Sequence, residues 1–247
     1  MSAGKGGDVG ERASLAVPGV RLKAMMGERA SSKAEQVYEA VKEAILSGAL
    51  EPGEPIDKLA LCESLGVSRF PVSAALSRLA FERLVLVEPQ HGSFVARISA
   101  QDVRERLFIR RAIEGEIAAE AARRLKNAGR EALEENLREA AVAAESGDRP
   151  RFYALDVGFH AALTSHLGLE RSGEILDGIR AHLERVHRLL MTPRGRMQAT
   201  IDEHAAIVEG ILIGDAGKAR TAMEAHLSQM TVLVEKFAAE RPEMFST

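Results

Sequence analysis

Asp156 and His160 stand four apart in RFYALDVGFHAAL, a spacing that puts a carboxylate and an imidazole on one helix face, one turn apart. His204 in IDEHAAIVEGI and His226 in MEAHLSQM each lie among apolar residues later in the chain. On separate helices, each could point to the centre of a bundle. One carboxylate and three imidazoles are the O and N donors that zinc or another first-row divalent ion accepts, with open coordination positions remaining for a ligand. Taken singly, each histidine reads as an ordinary core or surface residue, and the Asp156 to His160 pair alone is a weak metal signal. Without a metal, the four residues would be a hydrogen-bonded network lining a pocket.

Helices must carry these residues, and the sequence after Ile98 supplies them. Ser99 can cap a helix through about residue 126, with Val103, Leu107, Ile113, Ile117 and Ala121 apolar and Asn127 and Gly129 ending it. Further helices fit 130–145, 150–166, 172–191, 196–213 and 216–239, punctuated by Gly147, Gly168, Gly195 and Gly214. No convincing strand follows Ile98. Six helices with short connections predict an antiparallel bundle.

The segment before the bundle has a different pattern. A helix starting after Ser32 carries Val37, Ala40, Val41, Ala44 and Ile45 on one face. Leu59, Ala60 and Leu65 recur at helical spacing before Gly66, which permits a sharp turn. Ser68 is a good N-cap, and Pro71 falls in the first turn of a second helix over about 69–83, where its missing N–H costs nothing. Val72, Ala75, Leu76, Leu79 and Ala80 share the inner face, leaving Arg69, Ser73, Ser77 and Arg78 among the outward positions that could enter a major groove. Residues 84–87 and 92–95 flank Pro89, Gln90 and His91 as two short strands and a turn would. Helix, turn, helix and hairpin spell a winged helix-turn-helix. The predicted fold is mainly α: an N-terminal winged helix-turn-helix followed by an all-α antiparallel helical bundle.

GVSRFPVSAALSRL, the hairpin ending HGSFV and the preceding GALEPGEPI together resemble the DNA-binding domain of the GntR family of bacterial transcription regulators, over about 31–97. The resemblance implies that Arg69 reads a guanine edge through O6 and N7, that Ser68 is a phosphate-contacting cap, and that His91 and Gly92 form a wing tip reaching the minor groove. Ser73 stands where the family usually has arginine; it can donate one hydrogen bond but lacks the charge and the fork. Phe81, Glu82 and Arg83 replace a usual short Glu-Gly before leucine. Downstream, the Asp-x-x-x-His pair with two later histidines resembles the FCD effector domain of the FadR branch, which implies Asp156, His160, His204 and His226 as ligands of a divalent metal, zinc first, with nickel or manganese as alternatives. His166, His182 and His187 have no counterpart in that motif and are read as helix-surface or pocket-lining residues. In RERLFIRRAIEGEIAAEAA, Arg110 matches the arginine that meets an effector carboxylate, and Glu114 could orient it. The implied protein is a homodimeric repressor of palindromic operator DNA, released by a small carboxylate effector, with no enzymatic activity.

Composition bounds the alternatives. The chain has 247 residues, 46% of them hydrophobic, which is room for two modest domains: residues 1–30 as a disordered Gly- and Ser-rich tail, 31–98 as the DNA-binding domain, and 99–247 as the effector-binding and dimerisation domain. The net charge is −3. Between residues 31 and 98, seven basic residues face nine acidic ones, so DNA affinity must come from local contacts rather than overall charge. The one cysteine, Cys62, forms no internal disulfide and is assigned to packing. No apolar run reaches the roughly 20 residues of a membrane helix, and the start lacks a secretory signal, so a cytoplasmic location follows by elimination. The rival of another class is a metal-dependent hydrolase, for which Glu203 would be the general base; it leaves the helix-turn-helix without a purpose. A second rival is a regulator with a metal-free pocket.

Overall fold

A computed structural model describes residues 32–190 and 195–246; the tail assigned to residues 1–30 lies outside them. Helix α1 (Lys33–Leu46) starts where Ser32 Oγ accepts the Glu35 amide, and it buries Val37, Ala40, Val41 and Ile45. In α2 (Lys58–Leu65) the Asp57 carboxylate caps the amides of Leu59 and Ala60, and Gly66 ends the helix at φ +66°. This helix is only eight residues long, and its buried side chains are Leu61 and Leu65; Leu59, one of the apolar positions at helical spacing, is 54% exposed. Helix α3 (Arg69–Phe81) packs Pro71, Val72, Ala75, Leu76 and Leu79 inward. Strands β1 (Val85–Glu88) and β2 (Gly92–Val95) pair antiparallel, Val85 opposite Val95, and place His91 and Gly92 at the exposed tip.

Six helices follow: α4 (Ala100–Arg124), α5 (Asn127–Ser146), α6 (Arg149–His166), α7 (Glu170–Leu190), α8 (Arg196–Leu212) and α9 (Ala216–Glu240). Ser99, Asp148 and Asp215 cap α4, α6 and α9 through their side chains. The first break comes earlier than expected. Buried Leu125 turns extended at ψ 126°, so Asn127 and Gly129 belong to α5 rather than ending α4. The bundle core gathers Ile117, Ala121, Leu133, Phe159, Leu163, Leu176, Ile207 and Met223. Helices α8 and α9 approach closely because Gly210 carries no Cβ, which would fall 2.7 Å from the Ala219 nitrogen.

The sequence pattern missed one pairing. Strand β3 (Ile98–Ser99), which links the two parts, runs parallel to β4 (Phe245–Ser246) near the chain end. Phe245 and Met244 pack there with Ile98, Val103, Leu107, Val186 and Leu190. Among the described residues no single helix is long and apolar enough to cross a membrane.

Candidate metal centre and nucleic-acid interface

The helical periods bring the four predicted ligands together. Asp156 and His160 project from α6, His204 from α8 and His226 from α9, all buried, with one donor atom from each lying within 4.8 Å of all the others. His204 Nε2 is 3.3 Å from His226 Nε2 and 3.7 Å from Asp156 Oδ1. Asp156 Oδ1 is buried and accepts no hydrogen bond among the described residues. A buried carboxylate oxygen without a donor is costly, and it becomes satisfied if a cation occupies the space that the imidazole nitrogens also face. The donor set therefore fits a divalent ion.

Outer partners fix how the imidazoles point. His226 Nδ1 lies 2.7 Å from Glu203 Oε2, and Arg196 donates to both Glu203 oxygens at 2.8 Å. His160 Nδ1 lies 2.5 Å from Glu114 Oε2. A carboxylate at Nδ1 draws the ring proton there and leaves Nε2 as a lone pair, the arrangement typical of metal-ligating histidines. Phe159 stacks on His204 with ring centres 3.9 Å apart. Burial pushes His204 well below the usual histidine range, and His160 downward too. Both changes favour the neutral imidazole that coordinates metal. Glu203 is thus committed to Arg196 and His226, which removes the group that a hydrolase would need as a free base.

Beside the cluster lies a cavity lined by Arg110, Tyr153, Asp156, His160, Arg180 and His187. Arg110 is 7% exposed, and its Nε donates to Glu114 Oε1 at 2.7 Å, as expected from their four-residue spacing. Burial opposes ionisation of Glu114, yet the Arg110 guanidinium, with His160 and Arg180, holds its carboxyl well below the usual carboxylate range. His187, left outside the motif by sequence, has Nε2 3.6 Å from Asp156 Oδ2, and burial lowers its pKa to about 4. Arg180 and the Glu203–Arg196 pair were not singled out as partners of this site. The three carboxylate partnerships share one discoverable trait, an acidic residue one turn from, or adjacent to, a ligand or arginine on an amphipathic helix.

The recognition face divides differently from the sequence reading. Arg69 is exposed and forms no ion pair among the described residues. Ser68 occupies the N-cap position of α3 without making a side-chain cap bond, and both Ser68 and Ser73 are exposed. Arg78 is exposed, as expected of the outward set, but its guanidinium is engaged within the domain: it lies 3.6 Å from the Tyr38 ring centre and pairs with Glu35 at 2.7 Å and Glu82 at 3.5 Å. Arg83 takes a left-handed φ of +59°, the conformation a glycine adopts freely. Gly92 at the wing tip has φ +116° and nothing within 4 Å of where a Cβ would stand.

A winged helix-turn-helix joined to a helical bundle with a buried Asp and His cluster defines a DNA-binding protein with an attached helical domain. Family comparison agrees, with the model described as "Bacterial regulatory proteins, gntR family" matching residues 33–95 and "FCD domain" matching 105–229. The chain belongs to the GntR family and is a DNA-binding transcription regulator with an FCD domain. It is 28% identical to the HTH-type transcriptional repressor RspR of Escherichia coli K12, over 86% of this chain and 93% of that one. It is 32% identical to an HTH-type transcriptional regulator in an unstable DNA locus of Streptomyces ambofaciens, over 85% of this chain and 89% of that one. A GntR transcriptional regulator structure from Rhodococcus sp. RHA1 shares the fold with TM-score 0.66 at 22% identity, covering 83% of this chain and 99% of that one.

Proposed function

We propose that this regulator is a homodimeric repressor whose grip on a palindromic operator is released by a small organic acid. In this reading residues 31–98 bind DNA and residues 99–247 bind effector and dimerise. The observation that carries it is the cavity lined by buried Arg110 together with Asp156 and His160, two members of the buried Asp156, His160, His204 and His226 cluster. A divalent ion held by those four residues would supply a Lewis-acid position for a carboxylate oxygen. Arg110, oriented by Glu114, offers its remaining N–H groups to the same anion as a planar fork. The orphaned Asp156 Oδ1 favours a metal-containing site over a metal-free pocket. The name of the E. coli relative, a repressor, supports the sign of regulation.

On the DNA side, Arg69 would read a guanine edge while Ser68 and Ser73 donate to phosphate or base, and His91 with Gly92 would approach the minor groove. Effector and DNA communicate only if the effector binds one arrangement of the two parts more tightly than the other. Helix α7 is the physical link. It lends His187 to the cavity, while Arg185 Nη1 donates to the Ala96 carbonyl at 2.6 Å and Arg188 Nη1 to Glu43 of α1 at 2.8 Å.

The test is a footprint of purified full-length protein on DNA flanking its own gene, with excess nonspecific competitor. A protected palindrome supports the reading; no protection by folded dimer refutes it. His204→Ala should give the same footprint yet lose effector-induced release, and a normal response from that variant would remove the metal site from the mechanism.

A further inference from the structure

Helix α3 exposes an aromatic side chain that the reading above leaves unused. Phe70, the second residue of the helix, is 81% exposed and stands directly beside Arg69. It takes no part in the core of the DNA-binding part among the described residues, whereas Pro71 and Val72, which follow it, are buried. Ser73, Ala74 and Ser77 lie three, four and seven positions further on, share its helix face and are exposed. All three are small, so the Phe70 ring and the Arg69 guanidinium stand highest at this end of the face. The helix contains no acidic residue, so none of its own side chains repels the phosphates that flank a groove. A single exposed phenylalanine needs no explanation by itself; its position is what matters. In a helix-turn-helix the N-terminal residues of the second helix meet base edges in the major groove. Phe81, also exposed, lies at the far end of α3, about 16 Å along the axis, with the Glu82 carboxylate directly after it, and is not placed to do the same.

What a phenyl ring can recognise there follows from its chemistry. It has neither donor nor acceptor to offer the polar base edges, and the one apolar group that an unmodified base pair shows in the major groove is the thymine C5-methyl. We infer that Phe70 is a specificity-determining residue whose ring packs against a thymine methyl, near the guanine that Arg69 reads. The contact removes apolar surface of both partners from water, and a cytosine at that position, which has no methyl, forgoes it. Small Ser73 and Ala74 leave the ring room to approach the groove floor. Adjacent residues of α3 thus read two bases by different means, Arg69 by a charged fork and Phe70 by apolar contact. The inference rests on the Arg69 face proposed above and adds a second base and the residue that selects it.

Selection from a randomised duplex library by the full-length protein supplies the probe. Each thymine of the selected duplex is then replaced, one at a time, by deoxyuridine, which removes only the C5-methyl. In competition gel shifts the wild type should lose about fourfold in affinity at a thymine near the guanine read by Arg69, the effect of one buried methyl. Phe70→Ala should bind the unmodified duplex about fourfold or more weakly and no longer distinguish thymine from deoxyuridine there. Phe70→Leu, which keeps a branched apolar side chain, should retain about a twofold preference. A wild type indifferent to every methyl overturns the proposal, and so does a methyl preference that survives in Phe70→Ala, because it then arises from DNA shape. Arg69→Ala on the same probes tests the underlying face. If it relaxes one guanine position while Phe70→Ala changes nothing, the ring contact falls and the face stands; if neither variant changes base preference, both fall. Since Phe70 is exposed, its two variants should melt within about 2 °C of wild type; a clear drop in both would make it a packing residue and overturn the proposal.

Discussion

Replacing Glu203 by glutamine isolates the orienting role of a carboxylate that does not itself belong to the ligand set. The side chain keeps its shape and one acceptor, but loses the charge that His226 Nδ1 meets at 2.7 Å and that Arg196 meets at 2.8 Å through both oxygens. Hydrogen bonds to charged groups contribute about 1.5–3 kcal/mol, against about 1 kcal/mol for neutral ones, so the His226 bond weakens by about 1 kcal/mol. Loss of such outer partners typically reduces metal affinity 10- to 100-fold. Since glutamine can still accept from Nδ1, the low end applies: about tenfold, or 1.4 kcal/mol. Arg196, 10% exposed at its side chain, also loses its counter-ion, so the ligand-free protein should be less stable as well, by about 1–3 kcal/mol. Competition with a chromophoric chelator, on protein shown to be folded, separates the two effects. Zinc affinity within about twofold of wild type, where the outer-partner argument requires about tenfold, would refute the claim that Glu203 sets the imidazole of His226.

Three further outcomes follow from particular contacts. Arg69→Ala should cost about 1–3 kcal/mol of operator affinity and relax the requirement at one base pair, read by competition gel shift against operators altered at each position. Gly210→Ala would drive a Cβ to within 2.8 Å of the Ala219 backbone, so chemical denaturation should show a loss of about 1–3 kcal/mol. Zinc affinity should fall with it, because α8 and α9 carry His204 and His226. Arg83→Gly should raise stability by about 1 kcal/mol by relieving a left-handed conformation at φ +59°, measured by thermal denaturation; a decrease would mean that the Arg83 side chain contributes packing that outweighs the strain.

Helix positions were legible because their signals are local. Ser32 and Ser99 cap through their side chains as their positions predict, while Ser68 holds the N-cap position of α3 without a side-chain bond, and Gly66, Gly147 and Gly168 turn the chain at positive φ. The clustering of Asp156, His160, His204 and His226 was legible because a four-residue spacing fixes Asp156 against His160 and the apolar neighbours of His204 and His226 face them inward. In α2 the apolar spacing alone did not pick out Leu61, because a two-turn helix fits two phases nearly equally and contact with the rest of the core decides which leucines are buried. Pairings between distant segments left no local trace. Arg78 is engaged by Tyr38 and Glu35, roughly forty residues away, and two-residue strands such as β3 and β4 are too short to show a period.

Under the proposed function, helix α7 is where an effector-binding bundle would act on the DNA-reading part through few contacts. Arg188 lies over the Tyr153 ring, 5.1 Å from its centre, and Tyr153 lines the cavity; the same guanidinium pairs with Glu43 on α1. Three residues earlier, buried Arg185 gives a hydrogen bond to the Ala96 carbonyl, just after the wing, and burial lowers its pKa to about 10. Hydrogen bonds from charged groups contribute about 1.5–3 kcal/mol each, and allosteric couplings typically amount to about 1–3 kcal/mol. Making or breaking one of these two bonds would therefore be enough to carry the response proposed above. Arg185 is the stronger candidate of the two, because Arg188 is partly exposed and shares its charge between Glu43 and Glu184, where solvent screens the pair. A buried guanidinium bound to a single carbonyl has no such cushion, so a small displacement of α7 along the wing is felt as the loss of a whole charged hydrogen bond rather than as a graded weakening.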